Sequence, residues 1–191
     1  FIVLTIFYSS YSKKIPITFR DEIHWVGRSY FFQYFIEGDF NNSIWQSPES
    51  YDQPKLAEYS YGAWLYPTYL SDKARSLEKI DYTTFLIKNG FYEINENYND
   101  SYSSYLNKHP VIKFDEHMGG FPDEWTDKYG QEALKPINLI YKARVLSIFL
   151  LAGSVVISYF LSLQLRGITF ATVFSIFYGL NPLIIEMGIR A

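Results

Sequence analysis

The chain has 191 residues, 48% hydrophobic and 19% charged, which is enough apolar side chain to exclude wholesale disorder. With no cysteine it can hold no disulfide, thiolate metal site or cysteine nucleophile, and a net charge of -3 argues against a nucleic-acid partner. The averages hide two unlike parts, a nearly charge-free stretch of roughly the last 50 residues and a polar stretch before it rich in Tyr, Asn and Asp.

Residues 1–12, FIVLTIFYSSYS, read as the last turns of a first transmembrane helix that the chain enters part-way. No basic flank or small-residue cleavage site supports a signal peptide there. Residues 13–136 form a long loop, too long to be structureless in a compact protein. Within it Ile23, Val26, Tyr30, Phe31, Tyr34 and Phe35 recur at helical spacing, predicting an amphipathic helix over 23–37 that Gly38-Asp39 ends. A second helix is expected over 54–68, with Pro54 in its first turn and Trp64 and several Tyr along it. Such aromatics suit headgroup depth, so the second helix is expected at the bilayer interface, and the first suits that interface or packing on other helices. A third, weaker helix is expected from Ser71 to Ile80, and 90–130 read as irregular loop.

Residues 137–191 read as a transmembrane hairpin. Val145 to Leu165 is a run of 21 residues without a charge, and Ile168 to Ile185 adds 18 more. At 1.5 Å per residue these span roughly 32 and 27 Å, the scale of a hydrocarbon core. Only Arg166 and Gly167 separate them, so two antiparallel helices with a tight polar tip are predicted. A buried hairpin in a soluble core is the plainer alternative, and two consecutive uncharged spans disfavour it. The fold class expected is therefore an all-α membrane protein with interfacial helices in one long loop. Lys13, Lys14, Lys142 and Arg144 lie beside that loop and Arg166 alone at the tip, a count that by itself places the loop in the cytoplasm. Two sequons, Asn41-Asn42-Ser43 and Asn99-Asp100-Ser101, point the other way but arise easily by chance in an Asn-rich chain.

Two acidic groups carry the candidate chemistry. Asp21-Glu22, at the start of the first loop helix, can serve as a general base or hold a divalent cation. The bland alternative is a capping box over Thr18 to Asp21. Asp52-Gln53-Pro54-Lys55 sets an acid, an amide and a base before the second helix. Asp52 can ligate a metal and Lys55 can neutralise a phosphate, or Asp52 simply caps the helix and Lys55 is solvated. His24 is one turn from Asp21. His109, Asp115, Glu116 and His117 group together but match no defined ligand spacing.

Taken in order, FRDEIHWVGRSYFFQYFIEGDF, YDQPKLAEYSYGAWLYP and KARVLSIFLLAGSVVISYFLSLQLRGITFATVFSIFYGLNPLIIEMGIRA resemble the N-terminal part of a GT-C class membrane glycosyltransferase. The resemblance is to the protein O-mannosyltransferase and aminoarabinose transferase superfamily, over most of residues 1–70 and 137–191. It implies an extracytoplasmic loop, against the charge count, in a plasma-membrane or endoplasmic-reticulum protein. It implies transfer of a sugar from a polyprenyl-phosphate donor to a protein, lipid or glycan acceptor. On that pattern Asp21 and Glu22 are catalytic, Asp52 holds a metal (Mg, Mn or Zn are the divalent ions it allows), and Gln53 and Lys55 face the donor phosphate. Gln53 and Lys55 depart from the family's usual basic residue and second proline. A non-catalytic membrane-anchored module that recognises glycan or protein through its aromatic loop is the competing reading.

Overall fold

The computed structural model describes residues 1–16, 22, 24–46, 55–76, 80–93, 111–112, 127, 131 and 134–190, and these are mostly helical. Helix α1 (Ile2–Ser12) leads into the loop. The first loop helix is built in three pieces, α2 (His24–Gly27), a 3-10 turn (Arg28–Tyr30) and α3 (Phe31–Glu37). It ends where predicted. Gly38 adopts the left-handed conformation, φ 67°, and Asp39 N–H donates to the Tyr34 carbonyl at 3.0 Å, closing a Schellman-type cap.

The second loop helix, α4 (Lys55–Arg75), runs well past the predicted end at 68. Pro67 removes one backbone donor in mid-helix, normally a cost of about 3 kcal/mol. Packing beyond the proline outweighs it: Tyr69 is buried, donates to the Ile80 carbonyl at 3.1 Å, and lies against Tyr82 and Phe85. The helix expected over Ser71 to Ile80 is thus corrected, because 71–75 belong to α4 and a separate helix, α5 (Tyr82–Lys88), follows. Asp81 caps α5 by accepting from Thr84 N–H at 2.6 Å. Within the stretch expected to be irregular, β1 (Tyr92–Glu93) pairs antiparallel with β2 (Val111–Ile112), Tyr92 opposite Ile112.

Helix α6 (Leu134–Leu180) holds the first predicted span and most of the second, and breaks at Gly167, whose φ of 80° and ψ of 179° favour glycine. The first arm begins eleven residues before the expected Val145. The arms are antiparallel: Gly179 and Val155, on opposite sides of Gly167 in sequence, lie so close that a Cβ on Gly179 would be 3.2 Å from Val155 Cγ1. The second arm stops at Leu180 and does not continue to Ile185. Pro182 cannot donate to the preceding turn but fits the first turn of a new helix, α7 (Pro182–Arg190). Asn181 Oδ1 caps it, accepting from Leu183 N–H at 2.9 Å.

Leu134–Leu180 is long and apolar enough to cross a membrane, with mean hydropathy 2.2 over its most apolar window. Only 33% of that window is buried, whereas the core helix of a soluble protein is mostly covered. Leu150, Ile157, Phe160, Leu165, Phe177 and Leu183 all face outward. α1 packs along this hairpin, and Tyr8 donates to the Gly179 carbonyl at 2.8 Å. The core has two parts. One joins Tyr8 of α1, Leu151 and Val155 of α6 and Ile185 and Ile189 of α7, and the other joins the loop helices to residues 137–143.

Candidate active site

Arg144 stands at the seam between the two core clusters. It is 1% exposed, an expensive place for a permanent charge, and the fold answers it fully. Its Nε donates to Glu22 Oε1 at 2.5 Å and its Nη2 to Glu22 Oε2 at 2.7 Å, a bidentate fork-to-carboxylate pair. Nη1 donates to the carbonyls of Ser12 and, at 2.9 Å, Ile15, and Nη2 also reaches the Pro16 carbonyl at 3.0 Å. One side chain on the first arm of α6 therefore binds the end of α1, the chain just after it and the start of the loop helices. Val26, Tyr61, Ile140 and Ala143 close around the pair. Tyr61 shares a hydrogen bond of 2.7 Å with Ser147, one turn along from Arg144. Burial, only partly offset by that bond, pushes the Tyr61 hydroxyl up to about 12, so it stays protonated.

Glu22 thus lies beside the first arm of the hairpin, with both oxygens bound to Arg144. Lys55 opens α4. Its Nζ lies 2.7 Å from Glu58 Oε2 and 3.6 Å from the centre of the Phe31 ring, tying α4 to α3. From Lys55 to Tyr61, which lines the Arg144 site, is roughly 9 Å along the helix axis at 1.5 Å per residue. Asp21, Asp52 and Gln53 lie outside the described residues, as do His109, Asp115, Glu116 and His117 and the side chain of His24. Among the described residues no group of three or more acids or histidines is placed to hold a metal ion.

Sequence reasoning missed the Arg144–Glu22 pair, because the partners are 122 positions apart and no periodicity links them. The available signal was a lone arginine at the head of an uncharged span, which in a membrane helix demands a partner. The protein-family models, the curated proteins and the solved structures compared with this chain include no match to it.

Proposed function

We propose that these residues form the first loop and a membrane hairpin of an integral-membrane glycosyltransferase of the GT-C class. It moves a sugar from a polyprenyl-phosphate donor to a protein, lipid or glycan acceptor outside the cytoplasm. The supporting observation is the Arg144 junction, which fastens the acidic motif to the end of an apolar hairpin, where a lipid-linked phosphate would lie. In this reading Glu22 holds the segment in place through Arg144, and its neighbour Asp21 takes the proton of the acceptor hydroxyl as that oxygen attacks the anomeric carbon. The bond to the donor phosphate breaks, and the polyprenyl phosphate leaves with the electron pair. Lys55 and Gln53 stabilise the charge on that leaving group, Lys55 exchanging its contact with Glu58 for the phosphate.

A recognition module without catalysis is the second reading, favoured by the exposed rings of Phe35 and Phe40 beside Tyr59 and Trp45. Membranes containing the full-length protein, given a radiolabelled polyprenyl-phosphate sugar, separate the two. The enzyme consumes the donor and labels an acceptor, whereas a recognition module leaves the donor intact.

A further inference from the structure

Both loop helices suit the bilayer interface by their patterns, but the fold treats them differently. α2 and α3 lie against one face of α4, where the approach is so close that a Cβ on Gly62 would sit 2.2 Å from Phe32 Cβ. That face of α4, carrying Tyr61, Leu65 and Tyr69, is buried. The opposite face is apolar as well: Leu56, Ala63, Trp64, Pro67 and Leu70 follow helical spacing and are exposed, Leu56 at 78% and Leu70 at 46%. A helix apolar on two faces has one face too many for water.

Trp64 shows where the outer face leads. Its indole N–H donates to the Lys142 carbonyl at 2.8 Å, and its ring meets Phe149 edge-on at 5.9 Å. Phe149, Val145 and Leu150 belong to the exposed apolar surface of the hairpin, so the outer stripe of α4 continues into that surface. Lys142 is exposed two residues before Arg144. Lys13 and Lys14 are exposed between Ser12 and Ile15, whose carbonyls Arg144 binds. Three lysines and a tryptophan thus mark one level, with Phe149 about 10 Å beyond Lys142 along the arm at 1.5 Å per residue. Lysine beside tryptophan at the edge of an apolar zone matches lipid phosphates above and acyl chains below.

We propose that α4 alone of the two loop helices lies in the bilayer, its Leu56–Ala63–Leu70 stripe against acyl chains and Lys13, Lys14 and Lys142 on anionic headgroup phosphates. α2 and α3 ride behind it on the water side. This rests on the membrane reading of the hairpin and goes beyond it by naming the buried face.

The chain has no cysteine of its own, so once any cysteine elsewhere in the full-length protein is replaced, each single spin label reports one position. Leu56→Cys, Ala63→Cys, Leu70→Cys, Glu37→Cys and Ile157→Cys variants of the full-length protein, in vesicles of phosphatidylcholine and phosphatidylglycerol, are compared for collisions with oxygen and with a water-soluble nickel chelate. The expected result is an oxygen-to-chelate ratio at 56, 63 and 70 above that at 37 and approaching that at 157. A chelate-favouring ratio at 56, 63 and 70 with an oxygen-favouring ratio at 157 overturns the inference and leaves the hairpin in the membrane. Protection from both reagents at 56, 63 and 70 overturns it too, because protein then covers the stripe. A chelate-favouring ratio at 157 overturns the membrane reading itself.

Discussion

The guanidinium of Arg144 grips both carboxylate oxygens of Glu22, and the same side chain donates to the carbonyls of Ser12, Ile15 and Pro16. The first arm of α6, the end of α1 and the entry to the loop helices therefore share one anchor. Leaving either charge buried without the other costs about 3–5 kcal/mol. Arg144→Met is expected to lower the thermal midpoint in detergent sharply, by roughly that free energy. Arg144→Lys, which keeps the charge but loses the planar fork, should fall between. The Arg144→Met/Glu22→Leu double variant should lose less than the sum of the singles, and strict additivity in that cycle would mean the pair does not act as a unit.

Close helix packing gives a second expectation. Gly62→Ala puts a methyl group 2.2 Å from Phe32 Cβ and 2.6 Å from the Ser29 carbonyl oxygen, so α4 must move off α3. A loss of about 1–3 kcal/mol is expected. Gly153→Ala, where nothing lies within 4 Å, should be neutral or gain up to about 1 kcal/mol from helix propensity. Denaturant titration of both variants checks this, and equal effects would refute the packing account.

Neither the proline in α4 nor the arginine on α6 shows its role locally. The hairpin was legible because uncharged runs of this length have few other uses, and Gly38 and Gly167 were legible as stops because their backbones require glycine. Pro67 signals an end that Tyr69 cancels through contacts with Tyr82 and Phe85, partners that no window around residue 67 contains. Asp81 before YTTFLIK is a good cap signal, hidden among the polar residues around it. Arg144 looks like one more loop-side cation in sequence, yet in the fold its charge is matched by Glu22. Of the candidate site, only Glu22 and Lys55 can be seen in place.

Alkaline pH should loosen the seam beside Arg144. Burial raises the Tyr61 hydroxyl from 10.0 to about 12, so the folded state keeps a proton that the unfolded chain gives up. Its contribution is fully present below pH 10 and is lost as pH rises through about 12. Burial raises the Tyr82 hydroxyl in the same direction. Stability measured by denaturant at successive pH values should fall from pH 10 upward, less steeply in Tyr61→Phe. An unchanged slope in that variant would remove Tyr61 from the account.

The orientation proposed for the loop is open to labelling in intact cells or sealed vesicles. Asn41 and Arg166 are both exposed, one in the loop and one at the hairpin tip. A membrane-impermeant thiol reagent added from outside should modify an Asn41→Cys variant and spare Arg166→Cys until the membrane is opened. Labelling of Arg166→Cys alone would place the loop in the cytoplasm, as the charge count suggests.

The central claim is that Asp21, next in sequence to the Glu22 that Arg144 binds, is the base of a sugar transfer. Asp21→Asn in the full-length protein keeps the shape and removes the basicity, and transfer from a polyprenyl-phosphate sugar should fall about a hundredfold or more. Thermal stability should stay unchanged. Intact transfer together with a lowered midpoint would contradict the claim and make Asp21 a helix cap.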